Sequence, residues 1–323
     1  MSGTDRRTGA PPRRMRPVRL ALVAALAVLA PACGARAEPA MWTVADADGR
    51  ITLYGTVHVL KPGTQWRSDR LERRLGEARE LWTELPEEPG WDGAVAAETA
   101  LRGTLPAGRT LNAFLSEDGR ARLDRIMERL TLAPGSLDRL EPWLAEVVLT
   151  VAWYGRAGAT QGHGVETVLN DLAPPQAARR AFETASEQIA VFDEAPVEDQ
   201  VASLEYALRQ IEEDPAGFDR LVDAWVEGDV CRLEREALRP LKRVSPVLYD
   251  RLIVQRNRRW AERIEAMLKE GSGEVFVAVG AGHLIGADGV PALLRARGLK
   301  VKGPTGRFCA LDPRRFGRVQ PPG

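Results

Sequence analysis

Two of the three histidines in this 323-residue chain close the same short phrase, Gly-x-x-His: Gly55-Thr56-Val57-His58 and Gly280-Ala281-Gly282-His283. Imidazole titrates near neutrality, so it can take or give a proton or offer a lone pair to a metal. Each phrase follows an apolar run that reads as a buried strand, Ile51 to Tyr54 before the first and Val275 to Val279 before the second. Both histidines therefore stand where strands end. In open α/β sheets the carboxyl ends of strands form the ligand crevice, and glycine beside each histidine lets backbone approach a ligand closely. Gly55, Thr56, Gly280 and Gly282 are accordingly candidate substrate contacts.

The elements that must bring these residues together are legible in outline. From Met41 to about Leu85 the pattern is strand (Trp42 to Val44), turn (Asp46 to Arg50), strand (Ile51 to Tyr54), amphipathic helix (Ser68 to Arg79), strand (Glu80 to Leu85). That β-α-β crossover carries Glu84 to the end of a strand parallel to the one bearing His58. From about 111 to 270 the apolar spacing is helical, and Pro142, Pro174-Pro175, Pro196, Pro215, Pro240 and Pro246 divide it into separate helices. After Gly271-Ser272-Gly273 come a strand, the second phrase, a turn at 286–289, a helix from Val290 to Arg297 and a strand near Leu299 to Val301. The expected fold class is α/β: a central mixed sheet formed by the N- and C-terminal segments, with a large helical insertion as lid or wall.

Two imidazoles and a carboxylate are a sufficient ligand set for a catalytic divalent metal that acidifies bound water, which makes His58, Glu84 and His283 candidate metal ligands and hydrolysis the natural reaction. No HExxH segment exists, so such a site must be assembled from distant segments. Acid/base hydrolysis without metal, with a histidine as base and Glu84 assisting it, is equally expressible by these residues. Arg256 could clamp a substrate carboxylate or stabilise an oxyanion, or else sit in a structural ion pair. Asn257, Glu183 and Gln188 are further polar candidates for the substrate. His163, in a Gly-rich turn, reads as an exposed loop residue, and Trp82, Trp143, Trp225 and Trp260 read as core.

Residues 1–37 differ from the rest. They hold seven arginines, a single acid (Asp5) and an eleven-residue apolar run from Leu20 to Ala30. A membrane span needs roughly 20 apolar residues, so the layout is that of a secretory signal, with Ala35-Arg36-Ala37 as cleavage site. Lipidation at Cys33 is the less favoured alternative, and Arg13-Arg14 is a weak hint of twin-arginine export. Residues 38–323 keep 38 basic and 44 acidic side chains, a net negative charge that disfavours nucleic acid as a partner. The reading is a periplasmic or extracellular domain over 38–312, without an integral membrane span, and a C-terminal tail at 313–323. Its partner would be a peptide or small-molecule substrate, and a homodimer is left open. Cys231 and Cys309 form an even pair in a compartment that permits disulfides.

The residues also carry a family resemblance. Leu53-Tyr54-Gly55-Thr56-Val57-His58-Val59-Leu60 resembles the opening phrase of the TraB/GumN family, which is related to the Tiki metalloproteases, and Leu81 to Leu85 resembles its following strand with the family glutamate at Glu84. Glu141-Pro142-Trp143, Phe182-Glu183-Thr184 with Glu187-Gln188, and Gln255-Arg256-Asn257 resemble its later phrases. Val279-Gly280-Ala281-Gly282-His283-Leu284-Ile285-Gly286 resembles the closing one and is the most specific. The resemblance implies a fold similar to erythromycin esterases and ChaN haem-binding lipoproteins, and a site of His58, Glu84 and His283. It allows three activities: a protease dependent on a divalent ion (manganese, cobalt or zinc), a metal-independent esterase, or a haem or small-ligand binder. Two departures stand out. Gly164-Val165-Glu166 replaces the usual Gly-x-Asp, and Gln255 replaces the usual Glu.

Overall fold

The computed structural model describes residues 37–86, 91–271, 273–305 and 309. Of the expected signal peptide 1–37, residues 1–36 lie outside the described residues, as does the expected tail 313–323. Six strands, β1 (Met41–Ala45), β2 (Gly49–Thr56), β3 (Glu80–Thr83), β4 (Ala178–Ala181), β5 (Gly273–Gly280) and β6 (Val301–Lys302), form one sheet in the order β4-β3-β5-β2-β1-β6. The pairs β4/β3, β3/β5 and β5/β2 are parallel, while β1 and β6 add antiparallel at one edge. β5 is central. Its Val275 to Val279 are at most 2% exposed, the unbroken apolar run expected of a parallel strand covered on both faces.

The sheet draws on the two chain ends, as the sequence indicates, and also recruits β4 from within the helical region. The β4 sequence, Ala-Arg-Arg-Ala, is four residues with no apolar alternation, so periodicity carries no strand signal there. Its pairing with β3 supplies the reason it is extended. Helix begins earlier than expected, at Trp91–Arg102. The prolines act as punctuation: Pro142 and Pro246 open helices at their first residue, where the missing N–H costs nothing. Helix Pro246–Tyr249 runs through a π-helical turn, Asp250–Gln255, into helix Arg256–Lys269.

One face of the sheet packs Tyr54, Trp66, Trp225 and Phe276 with neighbouring centroids 5.9–6.5 Å apart. Trp225 Nε1–H donates to the Gly55 carbonyl at 2.8 Å and so ties the end of β2 to this core. A separate apolar cluster (Leu123, Ile126, Leu149, Leu204, Leu208) joins helices Glu117–Leu130, Pro142–Arg156 and Val197–Glu213. Cys231 and Cys309 are disulfide-bonded. Among the described residues no helix is long and apolar enough to cross a membrane.

Candidate functional site

The register of the sheet sets the site. Thr56 pairs with Gly280 at the ends of β2 and β5, so the two Gly-x-x-His phrases leave adjacent parallel strands at the same level. β3 flanks β5 on its other side, with Trp82 opposite Val277, which carries Glu84 to the same rim. A Cβ placed on Gly280 would find Glu84 Oε1 at 3.1 Å, His283 Cδ2 at 3.7 Å and His58 Nε2 at 3.8 Å. The three side chains converge on a spot that glycine leaves open.

His283 is buried, its side chain 7% exposed. Arg256 Nη1–H donates to Nε2 at 3.0 Å, and because guanidinium has no acceptor, Nε2 must carry the lone pair. Nδ1–H then donates to Asn257 Oδ1 at 2.7 Å. Burial, reinforced by Arg256 and His58 against the opposing pull of Glu84, pushes this imidazole down to about 3, so it is neutral at physiological pH. Arg256 and Asn257 are consecutive on their helix just after the π-helical turn, a local register change of the sort that collects at functional sites.

Glu84 is equally enclosed. Oε2 accepts from Arg256 Nη2 at 2.6 Å and Gln188 Nε2 at 3.2 Å, and Oε1 accepts the Gly280 backbone N–H at 2.7 Å. Burial alone would favour the neutral acid, but His283, Arg256, His58 and the Gly280 N–H outweigh it and hold the carboxyl at about 2. Arg256 is 3% exposed and directs its remaining donors to Glu183 and the Leu252 carbonyl. β4 is what places Glu183 there: beyond the strand, Phe182 N–H and Glu183 N–H continue the pairing onto the Thr83 and Glu84 carbonyls at 3.0 Å.

His58 is the contrast. Its side chain is 68% exposed, Nδ1–H donates to Glu166 Oε1 at 2.7 Å, and Nε2 faces Gly280. Glu166 is fixed in turn by the Thr56 hydroxyl, which donates to the same oxygen. Attraction to Glu166 raises His58 to about 9, against the effect of desolvation; solvent around so open a ring weakens that attraction. Gly164 lets this segment dock, because a Cβ there would collide with the His58 carbonyl oxygen, and Val165 N–H donates to the Val57 carbonyl at 3.0 Å.

The expected substrate contacts do not all reach the convergence point. Gly55 is buried with Ala281 Cα 3.0 Å from where its Cβ would stand, and Gly282 faces Leu238 and Ile253, so both serve packing rather than a substrate. Thr56 and Asn257, 2% and 0% exposed, hold other side chains in place. Glu183 and Arg256 have their polar atoms turned to each other, so Arg256 as placed is engaged in ion pairs with Glu183 and Glu84. Of the expected substrate contacts, Gly280 alone opens on the convergence point, while Gln188 touches it through Glu84. Glu166, whose departure from Gly-x-Asp had set it apart, reaches His58 with its extra methylene. The signal was Gly164, a residue that must be small. Gln255, the other departure, is exposed and bonds Asp250, away from the site.

A divalent ion would find two features of this donor set pulling in opposite directions. Both imidazoles turn Nε2 inward with Nδ1 held by an acceptor, an orientation that suits metal ligands. His283 Nε2 and Glu84 Oε2, however, already receive N–H groups of Arg256, and a guanidinium repels a second cation at such range. Among the described residues no three His, Cys, Asp or Glu side chains are grouped so as to hold an ion. As arranged, His58, Glu84 and His283 do not fit the expected metal, and the cation at the centre of Glu84 and His283 is Arg256.

Residues 40–303 match the TraB/PrgY/gumN family. The chain belongs to this family. Among its relatives is the uncharacterized protein YbaP of Escherichia coli (strain K12), 24% identical over 258 residues that cover 80% of this chain and 92% of YbaP. The YbaP protein of Shigella flexneri is 25% identical over 244 residues, covering 75% and 87% respectively. No solved structure matches the chain significantly. The matched span starts just before β1 and ends just after β6, so it takes in the whole sheet and every residue of the site.

Proposed function

We propose that this protein is an exported hydrolase that cleaves amide or ester bonds, peptides among them, by acid/base chemistry centred on His58. The observation that supports this most is the His58 geometry: a solvent-open imidazole whose Nδ1–H is held by a largely buried carboxylate, Glu166, and whose Nε2 looks onto the gap at Gly280. Such a pairing orients the ring and stabilises the imidazolium formed when Nε2 takes a proton. In the proposed reaction His58 Nε2 removes a proton from water as its oxygen attacks the carbonyl carbon. The same proton then passes to the departing nitrogen or oxygen as its bond to carbon breaks. Glu84, Arg256 and the neutral His283 form the rigid wall against which the carbonyl rests, already hydrogen-bonded to one another through Arg256, so they need not reorganise during the reaction.

A second reading keeps the metal, on the ground that both Nε2 atoms point inward; it requires Arg256 to swing away from His283 and Glu84. The haem-binder reading is less well served, since His283 as placed has both nitrogens committed. The deciding experiment is a screen of the chain from residue 38 onward against fluorogenic peptides and esters, before and after exhaustive chelation. Hydrolysis that survives chelation and falls about a hundredfold or more in His58→Gln supports the proposal. Activity that vanishes with chelation and returns with manganese, cobalt or zinc replaces it with the metal reading, and activity indifferent to His58 sinks both.

A further inference from the structure

A cavity of about 280 Å³ lies among helices Pro142–Arg156, Val197–Glu213 and Gly217–Val226 and the segment 236–244, and none of its lining residues belongs to the His58, Glu84, His283 cluster. Four aromatic rings stand among its lining: Trp153, Tyr206, and Tyr154 stacked on Phe218 with centroids 4.1 Å apart. Four charged side chains line it: Glu146, Asp214, Arg220 and Glu236. Three are already compensated. Arg220 Nη1 donates to Asp214 at 2.8 Å, and Glu236 Oε1 accepts from Arg232 at 3.2 Å and Arg235 at 3.1 Å.

Glu146 is the one of the four that forms no ion pair among the described residues; Glu236 Oε2, though without a hydrogen bond, has Arg220 Nε at 3.7 Å. Glu146 Oε1 accepts from the Ser203 hydroxyl at 3.0 Å, and among the described residues nothing donates to its Oε2. A carboxyl without a cationic partner of its own is costly to ionise, and desolvation, only partly offset by Ser203, raises Glu146 to about 7. A neutral apolar guest would leave that carboxyl unpaired, and an anion would be repelled by it. An ammonium group would restore the charge balance and would be attracted by the negative faces of the surrounding rings. The volume admits only a small molecule.

We propose that this cavity is a binding site for a small organic cation, an ammonium group on an aryl or alkyl body, which donates to Glu146 while the body packs against Tyr154, Tyr206 and Trp153. The inference is independent of the hydrolase reading, because none of the His58 residues takes part.

The test measures equilibrium binding of 2-phenylethylammonium to the chain from residue 38 onward at about pH 8, above the raised Glu146 value, by calorimetry, with 2-phenylethanol as the neutral comparator of the same shape. The ammonium should bind at least tenfold more tightly than the alcohol. Glu146→Gln should abolish that preference, and Ala207→Phe, which adds a ring to the cavity lining from helix Val197–Glu213, should abolish both affinities. Circular dichroism establishes that each variant is folded, and should Glu146→Gln fail to fold, the ammonium-against-alcohol ratio and Ala207→Phe still decide. Equal binding of the two compounds, no binding of either, or ammonium affinity unchanged in a folded Glu146→Gln or Ala207→Phe would overturn the proposal.

Discussion

His58 and His283 end the same phrase on neighbouring parallel strands, yet one side chain is 68% exposed and the other 7%. The difference begins with the group that holds Nδ1. A carboxylate, Glu166, holds His58 and favours its cationic form; an amide, Asn257, holds His283 and offers no charge to offset burial. The two imidazoles are thus moved in opposite directions, to about 9 and about 3. A shared Gly-x-x-His phrase does not set the charge of its histidine. Its partner's charge and its access to water do.

The buried side should govern stability and the open side chemistry, and the largest effect should test that division. Arg256→Met leaves Glu84 and Glu183 buried without their guanidinium, and should cost about 3–5 kcal/mol in urea unfolding, the usual penalty for orphaning a buried charge. A loss under about 1 kcal/mol would mean the network is far more hydrated than its burial indicates. On the open side, Glu166→Gln should reduce hydrolysis by about 10–100-fold, as loss of an orienting partner does, when both proteins are compared above about pH 9, where His58 is deprotonated with or without Glu166, and at that pH the unfolding midpoint should be nearly unchanged. In the same variant, NMR titration should find the His58 imidazole displaced from about 9 toward its ordinary value of 6.5. The rate–pH profile of the wild-type protein should accordingly rise with pH as His58 loses its proton.

Asn257→Asp would make the buried histidine resemble the open one. It should raise the His283 pKa, visible by NMR, while costing about 1–3 kcal/mol because the donor to the Asp288 carbonyl is lost. An unmoved imidazole in that variant would break the claim that the Nδ1 partner decides. The last comparison is in the stability–pH curve. Between about pH 6.5 and 3 the unfolded chain protonates His283 while the native one does not, so stability falls as pH falls. The His58–Glu166 pair acts oppositely: its contribution is complete below pH 6.5 and is lost as pH rises through about 9. In His58→Gln the alkaline decline should flatten and the acid one persist.

Much of the site was legible because its signals are local. Strand runs before His58 and His283 are apolar over consecutive residues, and the β-α-β pattern points to Glu84 as a rim residue. β4 was not legible, since four residues with two arginines carry no alternation and become a strand only by pairing with β3. Arg256 could be read as clamp or ion pair from sequence alone. Only the approach of Glu183, delivered by that unreadable strand, and Glu84 resolves the choice in favour of the pair.

By itself, then, the sequence determined the strand ends, the crossover and the residue types available at the rim, because backbone propensity and periodicity act over a few neighbouring positions. Which nitrogen of each imidazole is protonated, which carboxylate holds it and which cation sits between Glu84 and His283 were decided by the tertiary structure. Those properties depend on distances between segments up to about two hundred residues apart and on the exclusion of water around them, and no local pattern encodes either.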